Sequence, residues 1–111
     1  MLKKLQKMTK ADLITEIAEK TGISKTEVST IVESFLSVVK ESMAEGNEIF
    51  IRGFGSFINQ KRARKVARNI SKNTAIIIDE HFIPKFKPSP EFKEKIKNSK
   101  AILEKKGQLA N

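Results

Sequence analysis

Residues 61–73 read KRARKVARNISKN, and this stretch is the most informative part of the sequence. It carries six cations and no anion, so six of the nine net positive charges fall within thirteen residues. It has too few apolar residues to pack against a core. Because strand-like sequence flanks it on both sides, we predict a β-hairpin arm that projects into solvent. A plain solvated surface is the alternative, but ordinary surfaces mix charges of both signs.

The flanking sequence has the two-residue period of β-strands. Residues 47–52 predict a first strand, and Gly53-Phe54-Gly55 predicts a tight turn into a second strand. Residues 74–80 predict a third strand-like run. Residues 82–86 predict a short edge strand, since Pro84 has no N–H to donate to a ladder.

The arm has a pattern of its own. If the second strand stays extended, every other side chain lies on one face of the arm. That face carries Arg62, Arg64 and Arg68, with Val66 between them and Ile70 at the far end. An arginine-lined ribbon that ends in an apolar residue suits a narrow, electronegative minor groove.

Two helices precede the strands. A capping-box pair, Thr9 and Asp12, begins the first helix, and Gly22 ends it. A second pair, Ser24 and Glu27, begins the second helix, which the next glycine ends.

The second helix is apolar on more than one face. Leu36 and Val38 widen its stripe beyond a single packing seam. The extra width predicts a dimer interface, although a helix central to a monomer explains the pattern equally well.

A third, short helix follows the strands. Ser89 is its N-cap, Pro90 its first residue, and it ends near Asn98. Residues 99–111 predict a helical turn or two before Gly107, with no assigned role.

Composition limits the classes of function. The 111-residue chain has room for one small domain, and such domains often gain stability by oligomerising. The excess of 22 Lys and Arg over 13 Asp and Glu indicates an anionic partner such as nucleic acid or acidic lipid. The absence of cysteine excludes disulfides and thiolate zinc sites, and it fits a reducing cytoplasm. We expect no membrane-spanning segment, because the longest apolar stretch is the four residues 75–78. We expect no secretory signal, because the leader MLKKLQKM has no apolar core behind its lysines.

The ionisable residues at the base of the arm do not indicate catalysis. His81 is the only histidine and has no cysteine to share a metal, so we expect a loop or strand-end residue. Asp79 and Glu80 are predicted to pair with Arg62. The glycines at 53–55 lack the sequence of a nucleotide-binding loop. We therefore predict no enzyme, no metal site and no cofactor.

The order of elements resembles the HU and integration host factor family. That order is helix, helix, strand, RGFGSF at 52–57, basic arm, IPKFKP at 83–88 and a short helix. The match runs without an obvious gap over residues 9–98. GFGSF and the Arg68-Asn69 pair are its most specific pieces, and RGFGSF is slightly closer to the integration host factor branch.

The resemblance implies an α+β fold with two N-terminal helices, a three-stranded antiparallel sheet with a long protruding β-ribbon arm, and a short C-terminal helix. It implies an intertwined dimer and divides the chain into a basic leader (1–8), a DNA-binding domain (9–98, arm near 60–80) and a C-terminal extension (99–111). It further implies an architectural protein of the bacterial cytoplasm and nucleoid, which binds the minor groove of duplex DNA and bends or condenses it.

The tip of the arm departs from the family. The family has a proline that wedges between base pairs, whereas this chain reads Arg68-Asn69-Ile70. Aliphatic side chains also unstack base steps, so the resemblance carries the wedge role to Ile70 as a hypothesis. Isoleucine lacks the fixed φ of proline. Asn73 stands where the family has glycine, and asparagine tolerates a left-handed turn.

The candidate DNA-binding residues combine groove and phosphate contacts. The arginines are expected in or beside the minor groove, and the lysines at phosphates. Lys93 and Lys97 are further candidates that ordinary solubilising lysines explain as well. The full set is Lys61, Arg62, Arg64, Lys65, Arg68, Asn69, Ile70, Lys72, Lys85 and Lys87.

A different class of function uses the same basic segments. A structural or anionic membrane-surface protein would need a helical apolar face in the arm, where residues 61–73 offer only Ala63, Val66, Ala67 and Ile70. The sequence also leaves open whether binding is sequence-specific, and whether the partner is a second copy or a paralogue.

Overall fold

The structure is a computed structural model that describes residues 7–109. Most of the predicted leader at 1–8 lies outside the described residues, as do the last two residues of the predicted extension. Within 7–109 the elements are α1 (Lys10–Thr21), α2 (Lys25–Ala44), β1 (Ile49–Ile51), β2 (Gly55–Arg62), β3 (Lys65–Asn69), β4 (Thr74–Ile78), β5 (His81–Pro88), α3 (Pro90–Lys97) and α4 (Lys100–Leu109).

Helix α1 begins at the predicted capping box. The Thr9 hydroxyl accepts the Asp12 N–H at 3.2 Å, and the Asp12 carboxylate accepts the Thr9 N–H at 2.9 Å. The backbone hydrogen bond from Thr9 is the largest cause that holds the pKa of Asp12 below its ordinary value. The helix ends at Gly22, whose φ of 76° confirms the predicted left-handed cap.

Serine caps begin the next two helices. The Ser24 hydroxyl accepts the Glu27 N–H at 3.2 Å at the start of α2, which is one half of the predicted second box. The Ser89 hydroxyl accepts the Phe92 N–H at 3.2 Å at the start of α3, where Pro90 is the first residue as predicted.

Helix α4 is longer than predicted. It spans ten residues and continues through Gly107, whereas the sequence predicted a turn or two before that glycine. Its start is capped by Ser99, whose hydroxyl accepts the Ile102 N–H at 3.3 Å. A glycine inside a helix costs only about 1 kcal/mol relative to alanine, so Gly107 alone does not end it.

The main sheet has three antiparallel strands in the order β1-β2-β5. Strand β5 lies at an edge, which confirms the prediction made from Pro84. Gly55 opens β2 where the chain packs closely: a Cβ there would lie 2.5 Å from the Lys87 carbonyl oxygen. No larger residue fits at this position without a shift of the backbone.

The arm is a separate two-stranded ribbon of β3 and β4. Two residues on each side, 63–64 and 79–80, lie outside the ladders. Because the two gaps are equal, the register of the sheet continues into the arm, where Lys65 pairs with Ile78. The arm is therefore joined to the sheet without a bulge.

A phenylalanine cluster covers one end of the sheet. The ring of Phe54 lies 5.1 Å from that of Phe86 and 5.4 Å from that of Phe92, and Phe57 lies 5.1 Å from Phe86. The cluster anchors α3 to the sheet, since Phe92 belongs to α3.

A single chain leaves most of its apolar side chains uncovered. Among the described side chains, Val28 is the one buried hydrophobic residue. On α2, Ile31 and Val38 are 61% and 59% exposed. The radius of gyration is 19.5 Å, whereas a compact domain of similar length has about 13 Å. The interpretation of α2 as the centre of a monomer is therefore wrong.

Candidate nucleic-acid interface

The sheet has two unlike faces. Phe57 and Asn59 lie on the face toward α2, where the Asn59 amide donates to the Met43 carbonyl at 3.1 Å. Neighbouring side chains along a strand point to opposite faces. The face away from α2 therefore carries the predicted cations Arg62, Lys85 and Lys87.

The arm extends this basic face. Because the register is unbroken, the side chains of Arg64 and Arg68 lie on the same face as that of Arg62, with Val66 between them. The predicted one-face arrangement holds as far as Arg68. Ile70 departs from it, because β3 ends at Asn69 and Ile70 belongs to the turn at 70–73. The cations of the arm and its base are all exposed: Lys61, Arg62, Arg64, Lys65, Arg68 and Lys72.

An ion pair lies at the base of the arm. Lys61 Nζ lies 3.4 Å from Glu80 Oε2, and both side chains are more than half exposed. The sequence predicted that the acids at 79–80 pair with Arg62, and for Glu80 this was wrong. The alternation explains the difference, since Glu80 and Lys61 lie on one face and Arg62 lies on the other.

The tip of the arm is held by side-chain hydrogen bonds. Asn69 Oδ1 accepts the Ser71 N–H at 3.2 Å, the Ser71 hydroxyl at 2.8 Å and the Lys72 N–H at 3.4 Å. Asn73 has a φ of 52°, which confirms the predicted left-handed residue. Ile70 is 92% exposed, more than any other large apolar side chain among the described residues.

Ser71 is a site residue that the sequence reasoning missed. Its hydroxyl and its N–H both bond to Asn69. The Asn-x-Ser spacing is a signal for this arrangement, because an asparagine side chain commonly bonds the backbone two residues on.

His81 is a strand-end residue, as predicted. It is the first residue of β5, and its Nδ1 lies 2.9 Å from the Asp79 carbonyl oxygen. A carbonyl oxygen only accepts, so Nδ1 carries the proton and donates. Within residues 7–109, no cluster of three His, Cys, Asp or Glu side chains is placed to hold a metal ion.

The arm does not have the form that a membrane-surface segment requires. Its residues at 65–69 and 74–78 are paired strands rather than an amphipathic helix. Separately, the helices that the structure describes include none that is long and apolar enough to cross a bilayer. Lys93 and Lys97 lie exposed on α3, at the opposite end of β5 from the arm.

Known proteins share this architecture. The family model described as bacterial DNA-binding protein matches residues 8–97. DNA-binding protein HU of Thermotoga maritima is 40% identical over 90 residues, which cover 81% of this chain and 100% of the relative. Integration host factor subunit beta of Marinobacter nauticus is 39% identical over 93 residues, which cover 83% and 95%. The Anabaena HU–DNA cocrystal structure superimposes with a TM-score of 0.78 at 27% identity, covering 83% of this chain and 100% of that chain.

The chain belongs to the bacterial DNA-binding protein family that includes HU and integration host factor. It is an architectural DNA-binding protein and not an enzyme. Its partner is DNA. The family is nucleoid-associated. HU and integration host factor relatives match at nearly equal identity, so the slight preference for the latter branch stays a prediction.

Proposed function

We propose that two chains intertwine into a dimer whose arms grip the minor groove of one duplex and bend it, in the nucleoid of the bacterial cytoplasm. The observation that carries this proposal is the continuous basic face, which runs from Lys85 and Lys87 through Arg62, Arg64 and Arg68 to the exposed Ile70 at the tip. Residues 9–98 form the DNA-binding domain, flanked by the leader and the extension.

The exposed apolar surface supports the intertwined arrangement. The stripe of α2 includes Ile31, Phe35 and Val38, each about half exposed or more in one chain. Burying one such side chain contributes about 1.5–3 kcal/mol. Beside it, an open groove runs between the end of α2 and the sheet, from Met43 to Phe82. Such a surface is suited to the corresponding helix of a second chain.

The arginines and the lysines are proposed to contact different parts of the DNA. Arginine side chains are attracted into narrow minor grooves by the enhanced negative potential there. Arg62, Arg64 and Arg68 share the face that would look into the groove. The lysines at 61, 65 and 72, with Lys85 and Lys87 of the sheet, would neutralise phosphates along its edges.

Ile70 is proposed as the wedge. An apolar side chain inserted between base pairs unstacks one step and kinks the duplex. Ile70 is the arm's most exposed apolar side chain, and it stands at the end farthest from the sheet. Exposure of this kind is unfavourable in water and is offset only where a partner covers the side chain.

Ring closure of a short duplex tests the bending. DNA well under its persistence length of about 150 base pairs closes into circles only when a protein bends it. We expect Ile70→Ala to bind linear DNA but to form about tenfold fewer circles, because about 1.4 kcal/mol of lost kinking energy is a factor of ten.

The matched control is Ile76→Ala, the same truncation of an exposed isoleucine on β4, away from the tip. It should close circles as the wild type does. Equal circle formation by all three proteins would contradict the wedge, and absence of duplex binding by the wild type would contradict the proposal as a whole.

A further inference from the structure

We infer that Asn69 is a positioning residue, whose side chain holds Ile70 outward at the arm tip instead of reading DNA itself. The inference rests on the proposed function, in which Ile70 is the wedge. It reassigns Asn69, which the sequence placed among the DNA contacts.

The hydrogen bonds of Asn69 leave its amide oxygen fully used. Oδ1 accepts from two donors of Ser71, at 2.8 and 3.2 Å, and from the Lys72 N–H at 3.4 Å. An amide oxygen has two lone pairs. Three donors therefore saturate it, and it has no acceptor capacity left for a base edge.

The same bonds enclose Ile70. The contact from Asn69 Oδ1 to the Ser71 N–H closes a ring around Ile70, which is its central residue. The backbone then returns through Asn73, whose φ of 52° completes the reversal into β4. Ile70 is left at the apex of the turn, 92% exposed.

Without such a restraint the backbone of the turn would be free to move Ile70 away from its outward position, where its apolar side chain is exposed to water unfavourably. The bonds of Asn69 oppose that movement and preorganise the tip for insertion, which lowers the ordering cost of binding.

The test measures DNA bending and the tip itself in the full-length protein. A duplex of about 30 base pairs with a fluorophore at each end reports bending by energy transfer when the protein is saturating. Wild type, Asn69→Ala, Asn69→Asp and Ile70→Ala are compared, and Asn98→Ala is the matched control outside the arm. Hydrogen exchange of the Ser71 and Lys72 amides reports the turn without DNA.

We expect Asn69→Ala to lose most of the DNA bend. Its affinity for DNA should stay within about threefold of wild type and its salt slope should be unchanged, because every cation is retained. Its Ser71 and Lys72 amides should exchange several-fold faster. Asn69→Asp keeps an oxygen at the accepting position, so it should restore both the bend at saturation and the slow exchange. Ile70→Ala should lose the bend but keep slow exchange, and Asn98→Ala should match wild type in both.

Three results would overturn the assignment. If Asn69→Ala bends DNA as wild type does while Ile70→Ala does not, only the positioning role fails. If Asn69→Asp bends DNA no better than Asn69→Ala, Asn69 contacts DNA directly through its amide N–H. If Ile70→Ala itself bends DNA normally, the wedge fails and the role of Asn69 fails with it.

Discussion

Glu80 is an acidic side chain at the base of the basic arm. It stands 3.4 Å from Lys61 and places a negative charge beside the proposed phosphate contacts. We predict that Glu80→Gln tightens DNA binding about two- to fivefold at low salt, because exposed ion pairs are worth at most about 1 kcal/mol. Gel-shift titration measures the change.

The control for that variant is Glu16→Gln, the same change of charge on an exposed residue of α1. It should leave affinity close to wild type. Unchanged affinity in Glu80→Gln would show that Lys61 does not meet a phosphate.

For single residues, the sequence predicted charge and backbone conformation better than it predicted side-chain contacts. The charges of the arm were plain from its composition, and the left-handed Asn73 from its residue type. The ion-pair partner of Lys61 was not predicted, because the pairing depends on which face of the strands Asp79 and Glu80 occupy. The hydrogen bonds from Ser71 to Asn69 around Ile70 were missed because they are local side-chain contacts, which periodicity does not reveal.

Among the elements, α1 depends on its capping box. Hydrogen bonds from Thr9 lower the pKa of Asp12 in the folded protein. A lowered acid pKa stabilises the fold above the unfolded value, and this contribution is lost as pH falls through the folded value. We predict that the difference in unfolding free energy between wild type and Asp12→Ala is largest near neutral pH and shrinks as the pH falls below the ordinary aspartate value of 3.8.

Urea unfolding at fixed protein concentration measures that difference, since a dimer's stability depends on concentration. Asp79→Ala, an exposed aspartate outside the helices, is the control. A difference that stays constant down to pH 2 would show that ionised Asp12 does not support α1.

The arm lysines give a second prediction for an element. Replacing Lys61, Lys65 and Lys72 by Gln should weaken binding to all duplexes alike and flatten the salt dependence, by about one unit of slope per lost phosphate contact. Lys10, Lys20 and Lys25 of the helical region, replaced together in the same way, serve as the control. An equal effect of both triples would place the interface elsewhere.

The elements themselves were largely predictable. Caps and glycines fixed the ends of α1, α2 and α3 to within a residue or two, because the end of a helix is decided locally. The length of α4 was not predicted, since a single glycine does not end a helix whose start is well capped. The equal gaps at 63–64 and 79–80 were also missed, as pairing between distant strands leaves no local signal.

For the whole molecule, the extended shape and the exposed apolar side chains of the single chain fit a core that the proposed dimer would complete. The side chain of Ile31 on α2 is 61% exposed, and it belongs to the surface proposed to meet the second chain. We predict that Ile31→Asp prevents dimerisation at micromolar concentration, since an unpaired carboxylate would be buried against apolar side chains. Sedimentation equilibrium measures the mass.

Ile70→Asp is the matched control, because it makes the same change at the arm tip, outside the proposed interface. It should sediment as a dimer. A dimer of unchanged stability in Ile31→Asp would show that this face of α2 does not pair.

We propose that two basic arms hold duplex DNA mainly through its phosphates. The affinity for a short duplex, measured over a range of salt concentrations, tests this proposal. If the dimer neutralises about six to ten phosphates, the plot of log affinity against log salt should be linear with a slope of roughly −5 to −9. A slope near zero would contradict the account.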